Sequence, residues 1–179
     1  MNIFKYDAPC VIAPFDKCNE IKELALFYIA KDIRENSRRL TCYEMDIYSD
    51  FGEKDQTYWK LLKNDFYEHQ LKVVQAMGYD DVELVNIWYQ QYIKGGKHGW
   101  HVHMDCSFTT VYYLEYPEGS PATELMDSIT KQVISLDSIK EGDTLTFPSY
   151  IVHRAPENKT NNRKTIFSWH NNVRWDETK

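Results

Sequence analysis

Phe108-Thr109-Thr110-Val111-Tyr112-Tyr113-Leu114-Glu115-Tyr116 is the densest run of β-branched and aromatic residues in the chain, and it predicts a strand. Working outward from it, Val82–Tyr92 has the same β-rich texture, Gly95-Gly96 breaks it, and Trp100–Asp105 resumes it. On the other side, Pro117–Pro121 predicts a turn, Val133–Leu136 a short strand, and Glu141-Gly142-Asp143 a tight turn into Thr144–Phe147. Pro156–Asn162 is a polar loop and Lys164–Trp169 the last strand.

The N-terminal part has a different period. Residues 1–15 predict an early strand through Val11, Ile12 and Phe15. Asn19–Arg38 predicts a helix, because Ile21, Leu24, Ala25, Tyr28, Ile29 and Ile33 recur at helical spacing between charges. Tyr58–Met77 predicts a second, with Leu61, Leu62, Phe66, His69, Val73 and Ala76 as its stripe and Gly78 as its stop. Thr41–Gln56 between them is loop-like. Helices followed by many short strands predict a mainly β fold with N-terminal helices, a sandwich or jelly roll. The expected organisation is a single domain over 1–179, with 1–81 a helical support and 82–172 the jelly-roll core.

Composition narrows the class. The 179 residues are 42% hydrophobic and 15% aromatic, enough for one sizeable core. A net charge of −6 gives no basic face for phosphates, so nucleic acid is not an expected partner. Cys10, Cys18, Cys42 and Cys106 form no CxxC pair and are expected as reduced thiols. The opening MNIFKYDAPCVIAPF lacks a basic segment followed by a long apolar run, and no stretch approaches about 18 apolar residues. A cytoplasmic location follows as the expectation, or host cytoplasm if the chain is viral, with no membrane partner.

The chemistry-bearing residues cluster in the β-rich part. On a strand, residues i and i+2 point the same way, so His101 and His103 could grip one metal ion, with His153 closing the site from a distant strand. Asp105 shares that face if the strand continues. His103 and Asp105 are then the rival pair, and Asp105 would supply a 2-His-1-carboxylate triad. Arg163 begins a strand with Thr165 and Phe167 on its face. A buried guanidinium there would need an anionic partner and matches a carboxylate. Tyr113 and Thr109 share a face of their strand, and tyrosine hydroxyls such as those of Tyr113 and Tyr92 can bond a small diacid. His69, His98 and His170 have no partner at metal spacing and are expected to be structural, as is the Cys106 thiol.

NIWYQQYIKGGKHGWHVHMDCSFTTVYYLEYP, followed by EGDTLTFPSYIVHRAPENKTNNRKTIFSW, resembles the 2-oxoglutarate- and Fe(II)-dependent oxygenases. The similarity is to a bacterial and phage branch with an HxH, a VYYL strand and a distal His, and more remotely to the prolyl hydroxylases. It covers roughly residues 82–172. The resemblance implies a double-stranded β-helix (cupin-like jelly roll) and a dioxygenase that hydroxylates a substrate with release of succinate and carbon dioxide. It implies that His101 and His153 ligate Fe(II), that His103 stands where most relatives carry Asp, and that Arg163 receives the distal carboxylate of 2-oxoglutarate. Thr165, Tyr113 and Tyr92 assist, and dioxygen and an organic substrate are the other partners. Two alternatives remain open: a three-histidine metalloenzyme that uses no 2-oxoglutarate, and a non-catalytic jelly-roll binding module.

Overall fold

In chain order the elements are β1 (Val11–Pro14), α1 (Cys18–Glu35), β2 (Arg38–Cys42), β3 (Met45–Ser49), α2 (Thr57–Ala76), β4 (Asp81–Tyr92), β5 (Lys97–His101), β6 (Phe108–Glu115), β7 (Glu124–Met126), β8 (Val133–Ile134), β9 (Asp143–Pro148), β10 (His153–Ala155) and β11 (Lys164–Arg174). This computed structural model describes residues 8–35, 38–42, 45–53, 56–127 and 129–175. The first seven residues of the expected N-terminal strand and the Ile33 side chain lie outside the described residues.

All strand pairs are antiparallel and form one continuous curled sheet, β1-β9-β6-β11-β4-β3-β5-β10-β7-β8, with β2 on β3. Its two limbs meet at β3, which pairs with β4 through Tyr48 and Ser49 and with β5 through Met45 and Asp46. The Thr41–Gln56 segment, expected as a loop, therefore supplies the strand that joins the limbs. Its alternation is only five residues long, and its partners β4 and β5 are distant in sequence. Asp50, just beyond β3, accepts hydrogen bonds from the Tyr89 N–H and the Tyr58 hydroxyl. That ties the junction to β4 and α2.

The sheet has two dissimilar faces. One is covered by the helices: Ile21, Ala25 and Ile29 of α1 and Tyr58, Leu62 and Phe66 of α2 pack on Ile87, Tyr89, Tyr112, Leu114, Phe167 and Trp169. The other faces inward between the limbs, where Tyr92, Val111, Tyr113, Leu145, Phe147 and Ile166 meet Ile47, Leu125 and Ala155. The helix stripes are narrower than expected: Leu24 and Leu61 are exposed. Gln70, a polar residue, takes a fully buried place on α2 instead, accepting from Trp169 Nε1 and Thr110 Oγ1. Gly78 ends α2 with a positive φ of 93°, the left-handed turn that favours glycine.

β5 stops at His101, short of the expected Asp105. The chain stays extended beyond it, because the His103 N–H donates to the Ser149 carbonyl at 3.0 Å. Alternation survives that far, with Val102 and Met104 exposed and His103 half-buried. Gly96 precedes this segment at a close crossing. A Cβ there would meet the Ile93 carbonyl oxygen at 2.9 Å and that of Asp46 at 3.0 Å.

Phe66 has no exposed surface and stacks among Phe15, Trp59, Tyr112, Phe167 and Trp169. Phe66→Ala is expected to lower unfolding stability by about 3–5 kcal/mol through lost transfer energy and a residual cavity. Urea denaturation of the two proteins measures it.

Candidate metal centre

The two limbs enclose a cavity of about 260 Å³. Trp88, Gln90 and Tyr92 of β4, Thr109 and Val111 of β6, and Ile166 and Ser168 of β11 form one wall. Met45, Ile47 and Ser49 of β3 form the other, with His98, His101, His103 and His153. Phe51, edge-to-face on Trp88 at 5.1 Å, stands at the rim.

His101 and His153 are opposed because β5 and β10 pair antiparallel with these two residues in register. One ring nitrogen from each of His101, His103 and His153 lies within 4.8 Å of the other two. His101 Nδ1 is 2.7 Å from the Gly99 carbonyl oxygen, and His153 Nδ1 is 2.9 Å from that of Ile151. A carbonyl oxygen only accepts, so each ring carries its proton on Nδ1 and has its Nε2 lone pair free. That is the arrangement in which histidine ligates metals. Burial depresses all three: His101 below its usual value, His103 to about 3 and His153 to about 2. Neutral imidazoles with converging lone pairs fit a divalent transition metal such as iron.

Asp105, the rival ligand, is exposed and outside the triad. It turns the chain toward β6 with a φ of 65°. His98 and His170, expected to be structural, both touch the cluster. His98 stacks on His101 at 3.9 Å between centroids, and His170 sits 4.6 Å from His103. His69 is distant and donates to Thr144 Oγ1, which itself donates to the Ala13 carbonyl.

Arg163 does not line the cavity. Its guanidinium grips Glu115 with two bonds of 2.9 and 2.8 Å and is nearly half exposed. Thr165 Oγ1 also donates to Glu115 and accepts from Gln91. The reason is parity. Arg163 and Thr165 do share a face with Phe167, but Phe167 belongs to the helix-covered core.

The opposite row of β11 is Lys164, Ile166, Ser168 and His170, of which Ile166 and Ser168 line the cavity. Lys164 is 1% exposed. Its ammonium lies 4.6 Å from the centre of the Tyr92 ring and donates to the Pro121 carbonyl at 2.9 Å, with no carboxylate partner among the described residues. Burial brings its pKa down to about 7. Sequence reasoning passed over this lysine, and only its alternation with the apolar Ile166 offered a signal. Tyr92 lines the cavity beside it. Tyr113 is fully buried, donating to Thr123 Oγ1 and accepting from the Thr123 N–H. Thr109 Oγ1 lies 3.0 Å from Ser149 Oγ, which lies 2.9 Å from the Cys106 thiol.

Neither a protein-family model nor a curated protein matches the sequence. Solved structures match over most of the chain. A prolyl-4-hydroxylase from Pseudomonas putida aligns with a TM-score of 0.62 at 13% identity, covering 91% of this chain and 92% of that one. An oxidoreductase of the 2OG-Fe(II) oxygenase family from Burkholderia pseudomallei gives 0.68 at 14%, covering 91% and 85%. The non-haem α-ketoglutarate-dependent carbocyclase SnoK from nogalamycin biosynthesis gives 0.71 at 9%, covering 93% and 80%. The fold is thus the jelly roll of the 2-oxoglutarate- and Fe(II)-dependent oxygenases. Among the described residues no helix is long and apolar enough to cross a membrane.

The depressed imidazoles set a pH signature. Their folded pKa values lie below the unfolded value of about 6.5, so the stability they contribute is present above pH 6.5 and lost as pH falls below it. Protons compete weakly for the folded site, so Co(II) affinity at pH 6.0 is expected within about two-fold of that at pH 7.5. A steep fall through pH 6.5 in a Co(II) titration would show imidazoles that titrate normally.

Proposed function

We propose that the protein is a non-haem Fe(II)- and 2-oxoglutarate-dependent oxygenase that hydroxylates an organic substrate. The observation that carries this reading is the conjunction of the three-imidazole cluster and the buried Lys164, which has no carboxylate partner among the described residues, in one oxygenase-type barrel. When bound, Fe(II) and 2-oxoglutarate supply oxidation of a substrate C–H by dioxygen, with succinate and carbon dioxide as co-products.

The chain's own residues bind, orient and exclude water. His101 and His153 hold the metal through Nε2 lone pairs freed by the Gly99 and Ile151 carbonyls, and His103 supplies the third ring nitrogen. Three neutral imidazoles leave Fe(II) one charge more positive than a set containing a carboxylate. That favours a dianionic cosubstrate. Lys164, rather than Arg163, receives the distal carboxylate. An ammonium taken out of water gains most from an anion in a low-dielectric pocket, whereas Arg163 already holds Glu115. The Tyr92 ring packs against this ammonium, and Thr109 presents a hydroxyl on the cavity wall. Trp88, Phe51, Met45 and Ile47 keep the reacting end apolar. A three-histidine enzyme without 2-oxoglutarate leaves the buried ammonium with the Pro121 carbonyl and the Tyr92 ring and no anion among the described residues.

Purified protein with Fe(II), ascorbate and 2-oxoglutarate is expected to release succinate, and His153→Ala to abolish it. Losing a charge-assisted hydrogen bond costs about 1.5–3 kcal/mol. Lys164→Met should therefore raise the 2-oxoglutarate requirement about 10- to 100-fold, while Arg163→Leu leaves it within about three-fold. The reverse pattern would move the carboxylate anchor to Arg163, and no succinate from the wild-type protein would refute the oxygenase reading.

A further inference from the structure

His103 differs from its two partners in how its ring is held. His101 and His153 each donate Nδ1–H to a backbone carbonyl. Among the described residues neither ring nitrogen of His103 has a hydrogen bond, and the ring is held by aromatic contacts alone. Those contacts are Trp88 at 5.9 Å, His101 and His153 at 5.1 Å, and His170 at 4.6 Å.

His170 presents the complementary gap. It is 9% exposed, and its Nε2 is buried with no hydrogen-bond partner. It projects from the same row of β11 as Ile166 and Ser168, and β11 pairs it with Thr109 of the cavity wall. An unpaired buried ring nitrogen costs about 1–3 kcal/mol, so its retention beside the cluster calls for a partner. An imidazole nitrogen sits about 1.2 Å from its ring centre, so an N–H···N bond near 3 Å can span centres up to about 5 Å apart. The 4.6 Å separation from His103 falls inside that reach.

We infer that His170 is the positioning residue for His103: its free ring nitrogen is the hydrogen-bond partner that fixes the orientation of His103 when the triad holds a metal. This rests on the triad reading above and extends it. Two ligands are oriented by main-chain carbonyls and the third by a side chain, as outer-shell partners of metal-bound histidines generally are. The side-chain support falls on His103, the ligand that lies beyond the end of β5.

The test is Co(II) titration of metal-free protein, read by visible absorption and by competition with a chelator. His170→Phe keeps the aromatic packing and removes the hydrogen bond, and it is expected to weaken Co(II) binding about 10- to 100-fold. His170→Gln, whose amide restores a hydrogen-bonding end, is expected to recover most of that loss and the wild-type Co(II) spectrum. If the phenylalanine variant does not fold, His170→Met against His170→Gln makes the same comparison at similar volume. Affinity within two-fold of wild type in His170→Phe or His170→Met overturns the inference and leaves His170 as a packing ring against Trp88, 4.8 Å between centroids. His101→Ala serves as the control for the triad itself. Binding lost there but kept in His170→Phe refutes only the role of His170, whereas no Co(II) uptake by the wild-type protein refutes the triad.

Discussion

β11 sends its side chains alternately to opposite faces of the sheet, and each face is closed by a different partner. Phe167 and Trp169 go to the helices; Lys164, Ile166, Ser168 and His170 take the other face, where Ile166 and Ser168 line the cavity. Because β11 lies between β4 and β6 along most of its length, a slip of one residue would exchange the two rows. It would put two large rings into the cavity and an ammonium beneath the helices. The aromatic packing of α2 against Phe167 and Trp169 therefore fixes where the inward polar groups stand. Among the described residues the helices contribute none to the cavity wall, yet they set the register on which the site depends.

The electrostatics of the interior follow from the same enclosure. The cavity wall holds neutral imidazoles, hydroxyls and apolar side chains, and its one guanidinium, Arg154, is engaged by Glu124 at 2.6 Å and by the Trp100 ring. Burial pushes the histidines toward the uncharged form that can ligate, and it pushes Lys164 to the edge of ionisation.

Much of the architecture was legible in the chain because it rests on local periodicity. The α2 stripe through Leu62, Phe66 and Val73, the Gly78 stop and the Phe108–Glu115 strand each need only neighbours in sequence to declare themselves. The short strand Met45–Ser49 did not, since its pairing with β4 and β5 comes from distant residues. His98 and His170 were set aside for want of a partner at metal spacing, and both lie against the triad because strand pairing carries them there. Arg163 was expected to receive a carboxylate, and it satisfies its charge on Glu115, a residue 48 positions away.

The sequence by itself determined the class of fold, the helical and strand segments of strongest period, and the supply of imidazoles and cations from which a site could be made. The tertiary structure decided which of those groups face inward. It leaves Asp105 exposed at a turn of positive φ, and it puts Lys164 rather than Arg163 on the face of β11 away from the helices. Alternation along a strand is written in the sequence, but which of its two faces is the inside is set only when a second layer packs on one of them.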